Sequence, residues 1–136
     1  MKTTKLFLII LSILIIFIIS CQNKQQGIMS KENSQNLIVL VKYKAQPSKS
    51  KEAIAGLTKL IEEVKNEPNF VNITLHTDPK DDSNILLYEV WSDETYYNGD
   101  HMKTSHLQGF MKDSRAFLAG PPEISQWKID KEFSFK

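Results

Sequence analysis

Past residue 36 the chain switches between two hydrophobic periods, and the switches mark its elements. LIVLVKYKA (37–45) is β-branched and apolar, which predicts a strand. Ile54, Leu57, Ile61 and Val64 then recur at helical spacing, with Ala53 and Leu60 widening the stripe. Ser48 or Ser50 is placed to cap this helix just after Pro47, and Asn66 and Pro68 stop it. FVNITLHTD (70–78) alternates, with Val71, Ile73 and Leu75 on one face and Asn72, Thr74 and His76 on the other. That pattern predicts a half-buried strand. The turn-rich DPKDDSN leads into a third strand, ILLYEVW (85–91), so the two form a hairpin. Ser92 or Asp93 is placed to cap a second helical region, which Gly99 interrupts. A longer helix is expected from about Thr104 to Ala119, with Leu107, Phe110, Met111, Phe117 and Leu118 inward. Gly120-Pro121-Pro122 ends it, and EISQWKID (123–130) predicts the last strand.

Strand, helix, strand, strand, helix, strand is the order of a ferredoxin-like α+β domain, four antiparallel strands with helices on one face. One detail adds to this. In 37–41 and 85–87 both alternating faces are apolar, yet helices cover only one face of such a sheet. The simplest cover for the second face is another copy of the chain, so a homodimer is expected through the sheet, in the manner of a dimeric α/β barrel.

The first 20 residues read differently. Lys2 and Lys5 precede an apolar run from Leu6 to Ile19, shorter than the roughly 20 residues of a spanning helix. A basic start and a short apolar core mark a secretory signal over residues 1–20. The run ends in IISC, which resembles the lipobox of bacterial lipoproteins, with Cys21 the only cysteine. The resemblance implies a lipid thioether on Cys21 and a place on the membrane in the cell envelope. Residues 21–36 are polar and nearly free of large apolar groups, and are expected to be a disordered tether reaching on the order of 20 Å. The folded domain is then 37–136. Removing Lys2 and Lys5 from 17 basic residues leaves 15 against 16 acidic ones. A near-neutral chain without a basic, aromatic stripe does not suggest nucleic acid.

The candidate chemistry gathers in EVWSDETYYNGDHMKTSH (89–106), which holds two tyrosines and two of the three histidines. Glu89 and Trp91 stand two apart at a strand end, followed by His101, His106 and Phe110. This resembles the antibiotic biosynthesis monooxygenase superfamily over residues 37–130, in particular its small quinol monooxygenases. It is more distantly similar to haem-degrading oxygenases of the same fold. Two departures stand out. Asn69-Phe70 replaces a Gly-Cys pair common at the start of the second strand. LIVLVKYK lacks the first-strand asparagine of the haem-degrading members, which counts against haem cleavage.

The resemblance implies oxygenation of a hydroquinone, an anthrone or a similar electron-rich aromatic without flavin or metal. His101 would be the base, since imidazole titrates near neutral pH. Trp91 is either a flat wall for the substrate or a core aromatic. Tyr97, four residues before His101, would share its face on a continuous helix and steer the imidazole. Tyr96 is expected to be packing. Glu89, His106 and Phe110 are expected around the substrate, with Asn72 and Thr74 on one strand face lining the same pocket. His101 and His106 are five apart, unlike the i, i+4 pair of zinc helices, so no metal site is expected. The alternative is a non-catalytic module that binds a small aromatic or haem, with His101 as an iron ligand. No phosphate loop or nucleophile elbow is present.

Overall fold

The computed structural model describes residues 36–134. The expected signal, the expected lipidation site at Cys21 and most of the expected tether lie outside the described residues. The strands are β1 (Leu37–Lys44), β2 (Phe70–Thr77), β3 (Asn84–Trp91) and β4 (Glu123–Lys128). The helices are α1 (Ser50–Val64), α2 (Glu94–Asn98) and α3 (Ser105–Asp113), with 3₁₀ turns at His101–Lys103 and Ser114–Ala116. The sheet order is β2-β3-β1-β4 with every neighbouring pair antiparallel, which is the ferredoxin-like arrangement.

Register sorts the sheet residues by face. Leu37, Val39, Val41 and Tyr43 of β1 pair with Trp91, Glu89, Leu87 and Ile85 of β3. This set meets Ala53, Leu57, Leu60 and Val64 of α1 in the core. Burying each large apolar side chain here contributes about 1.5–3 kcal/mol. On the other face Ile38, Leu40 and Lys42 pair with Val90, Tyr88 and Leu86, and Ile38 pairs with Trp127 of β4. Among the described residues no helix of the core cluster packs on that side, and Trp127 and Tyr88 are exposed.

Three local expectations change. The alternation Val71, Ile73, Leu75 is broken by a register shift between Phe70 and Asn72. The extra residue turns Val71 into solvent and lets Phe70 join Ile73 and Leu75 against the core. Neither Ser48 nor Ser50 caps α1. Lys49 is the N-cap without a side-chain bond, and Ser50 instead donates to Asp82 at 2.9 Å. The long helix expected to Ala119 ends as α3 at Asp113 and tightens into the 3₁₀ turn. Leu118 then bridges to Ala45, and the Phe117 ring lies so close to Gly56 that a Cβ there would sit 2.6 Å from it.

Candidate active site

The corner between β3 and α2 gathers the site. Asp93 is the N-cap of α2, its carboxylate accepting from the Tyr96 amide at 2.8 Å. The five-residue helix ends at Gly99, and the chain re-enters a turn that carries His101. That turn is held by Thr104, whose hydroxyl donates to the His101 carbonyl at 2.8 Å. Tyr97 and His101 are therefore not on one helix. They still stack, ring centroids 5.1 Å apart at 19°. The two rings meet across the corner and not along one helix face.

Trp91 is fully buried behind this pair. Its ring lies 4.6 Å from that of His101, 5.4 Å from that of Tyr97 and edge-on to Phe70. Its indole N–H donates to Glu89 Oε2 at 3.0 Å. Trp91 does not line the cavity, so it backs Tyr97 and His101 and is not a wall that touches a ligand.

The decisive partner of His101 is a residue that sequence reasoning passed over. Glu67 sits just past α1, its amide closing the last turn onto Val64 at 2.9 Å. Asn69 follows in the left-handed region, φ 67°, which glycine and asparagine tolerate best. The turn presents the Glu67 carboxylate, 5 % exposed, to three donors. His101 Nδ1 lies 2.9 Å from Oε2 and the Tyr96 hydroxyl donates to the same oxygen at 3.0 Å. His106 Nε2 bonds to Oε1. Tyr96, expected as packing, is part of this network, and His106 orients the carboxylate without lining the cavity.

In front of His101 lies a cavity of about 720 Å³ between the sheet and the helices. Val41, Ile73, Leu87, Leu60, Leu107 and Phe110 give it an apolar wall. Tyr43, Glu89, Tyr97 and His101 supply polar groups, and Met102, Met111 and Ile124 stand exposed at its rim. Burial pushes the phenols of Tyr43 and Tyr97 upward, with the nearby Glu89 adding to it, so both stay neutral. Burial also lifts Glu89 to about 7; the Trp91 bond works against this and the charge of Glu67 reinforces it. Asn72 and Thr74 do not join the site. They pair with Val90 and Tyr88 on the face of the sheet away from the helices, and bond to each other at 3.2 Å. His76 is exposed on that same face.

With Nδ1 held by Glu67, the His101 imidazole has only Nε2 left to meet the cavity, and Nε2 makes no hydrogen bond among the described residues. A carboxylate that fixes the tautomer and leaves a basic nitrogen facing an apolar space is the arrangement of a general base. Although Glu67, His101 and His106 converge, they do so as hydrogen-bond partners. No three His, Cys, Asp or Glu side chains among the described residues are arranged to hold a metal ion.

Comparison with known proteins agrees with this fold. YcnE of Bacillus subtilis (strain 168), a candidate monooxygenase by name, is 24 % identical over 96 residues, 70 % of this chain and 100 % of its own. A crystal structure of a conserved protein from Methanosarcina mazei Go1 superimposes with a TM-score of 0.66 at 19 % identity, covering 73 % of this chain and 97 % of its own. A variant of SnoaB, a cofactor-independent oxygenase from Streptomyces nogalater, does so at 0.64 with 13 % identity, covering 72 % and 96 %. Residues 36–113, more than half of the sequence, match the family described as antibiotic biosynthesis monooxygenase. The chain belongs to the antibiotic biosynthesis monooxygenase family.

Proposed function

We propose that the protein is a monooxygenase that oxidises a hydroquinone, an anthrone or a similar electron-rich aromatic without flavin, haem or metal. The observation that carries this reading is the Glu67–His101 pair at 2.9 Å, which leaves Nε2 to the cavity. The hydroxyl of a bound hydroquinone gives its proton to Nε2, and the electron pair stays on the ring. The electron-rich ring then passes an electron to dioxygen, and the two radicals combine. One oxygen atom enters the ring and the other leaves as water, carrying the hydrogens that the substrate gives up. Glu67 stabilises the imidazolium formed in the first step. Neutral Tyr43 and Tyr97 donate to oxygen atoms of the substrate, and the apolar wall keeps water from the anion.

Two further parts complete the proposal. A lipid on Cys21 would hold the domain at a membrane where lipophilic quinols are dissolved, supported by the ordered signature of residues 1–21. A second copy would cover the sheet face that bears Ile38, Leu40, Leu86, Val90 and Trp127.

The test is oxygen uptake by the whole chain supplied with menadiol, with ¹⁸O₂ used to separate incorporation from autoxidation. Labelled product made by the wild type and lost in His101→Ala supports the oxygenase. Haem added to the same protein is followed through its Soret band. A Soret shift that needs His101, with no labelled product, would replace the oxygenase by a haem-binding module.

A further inference from the structure

Glu89 is a carboxyl at the floor of the cavity with no cation beside it. It is 6 % exposed, and none of the ion pairs among the described residues includes it. Its Oε2 is taken by the Trp91 indole, and its other oxygen has no donor among the described residues. That second oxygen is not sealed away, because no buried side-chain oxygen or nitrogen among the described residues lacks a partner. The carboxyl lines the cavity, so the free oxygen opens onto it. His101 rests on the same indole, 4.6 Å from its ring. One tryptophan thus touches two polar groups that line the same cavity, the His101 imidazole and the Glu89 carboxyl.

We propose that Glu89 reads the ligand by donating its carboxyl hydrogen to a keto oxygen of the bound aromatic, beside the hydroxyl-accepting His101. The site then takes aromatics with a carbonyl on the ring system, such as an anthrone or the quinone formed from a quinol, over hydrocarbons of equal size. This rests on the oxygenase reading for the choice of ligand, and it assigns to Glu89 a role in specificity separate from proton abstraction. The groups that face Glu89 are Tyr43 from β1, Glu67 from the turn after α1, Tyr97 from α2, His101 from its 3₁₀ turn and Trp91 from its own strand. None of them is a lysine or arginine, and Arg115, which lines the same cavity, forms no ion pair with Glu89 that would hold the carboxylate ionised. Burial keeps the proton on Glu89 up to about pH 7. Above that the carboxylate no longer donates and repels the keto oxygen.

The experiment measures binding of 2,3-dimethyl-1,4-naphthoquinone to the whole chain by equilibrium dialysis at pH 6 and pH 8.5. This probe carries two keto oxygens and no ionisable hydrogen. The expected result is a Kd that weakens roughly tenfold at the higher pH, the worth of one hydrogen bond. Glu89→Gln, a neutral donor at both pH values, should bind equally at both, and 2,3-dimethylnaphthalene should show no pH dependence. His101→Asn should keep the tenfold change. The same weakening in Glu89→Gln, its loss in His101→Asn, or no binding at pH 6 would overturn the proposal. Should Glu89→Gln fail to fold, the infrared carbonyl band of the quinone bound to the unmodified chain decides. It should lie lower at pH 6 than at pH 8.5, and an unmoved band overturns the assignment. The quinone is not oxidised further, so this result stands apart from oxygen uptake. Absent turnover sinks the oxygenase reading and leaves the binding result intact.

Discussion

Glu67 and His101 are 34 residues apart in sequence and meet at 2.9 Å, with neither side chain more than 7 % exposed. A buried carboxylate that accepts from two imidazoles and a phenol sets their orientation together. Glu67→Gln keeps the size but offers at most one accepting oxygen, so the His101 tautomer is no longer fixed. Turnover should fall by about 10²-fold, a loss in the range of general-base catalysis. The readout is kcat with menadiol, alongside the Nδ1–H proton resonance of His101, which should vanish. An unchanged kcat would remove Glu67 from the mechanism.

Glu89 gives the fold a pH dependence of definite sign. Its folded pKa, about 7, lies above the ordinary carboxylate value of 4.5. Below pH 4.5 it is protonated whether the chain is folded or not, and it costs nothing. As pH rises from 4.5 to 7 the unfolded chain ionises first and is favoured. Stability should therefore drop by about 3 kcal/mol across that window and level off above it. Urea unfolding at pH 4.5, 6 and 8 should show this component in the wild type and lack it in Glu89→Gln. Equal slopes in the two proteins would contradict the burial argument.

Trp91 stands behind the site and supports it. Trp91→Ala should cost about 3–5 kcal/mol, the usual loss for a fully buried large aromatic. Trp91→Phe keeps most of the packing but removes the donor to Glu89, so the Glu89 titration should move up from 7. Thermal melts and a carboxyl-resolved NMR titration test the two parts separately.

The turn after α1 should discriminate sharply among residues at position 69. Asn69→Gly should be neutral within about 0.5 kcal/mol, since both residues accept φ 67°. Asn69→Val should cost about 1–2 kcal/mol and misplace the neighbouring Glu67. Chemical denaturation and kcat should both reveal it, with activity falling by more than stability alone accounts for.

Asn72 and Thr74 face away from the cavity. Alanine at either position should leave kcat/KM with menadiol within roughly twofold of wild type, as for a surface change remote from the site. A tenfold loss would mean that the outer face of the sheet takes part in the reaction.

The fold was legible because its signals are regional. The apolar runs of β1 and β3, the 3.6-residue stripe of α1 and the break at Gly120-Pro121-Pro122 each span several residues. They name an element without knowledge of its neighbours. Val71 shows where that fails, because a single inserted residue reverses a face and periodicity carries no trace of it. The site was half legible. Trp91, Tyr97 and His101 lie close in sequence around one corner. Glu67 read only as part of a helix stop, NEP, and no local pattern links it to a histidine on another turn. Its one hint was position, immediately before the Asn69-Phe70 departure, where the chain must turn sharply to start β2. Spacing set Tyr97 towards His101 and Tyr96 aside as packing, but Gly99 ends the helix on which that count rests, and Tyr96 reaches Glu67.

Neither member of the Glu67–His101 pair stands on a strand or a regular helix. One lies on the turn after α1 and the other on the 3₁₀ turn after α2, while the floor beneath them is made of strand residues locked in register. The Glu67–His101 pair and the shape of the chamber are therefore set by separate parts of the chain. A lineage could exchange the two turns and acquire new chemistry over an unchanged chamber. It could equally reshape the chamber for a different molecule and keep the same proton-handling pair.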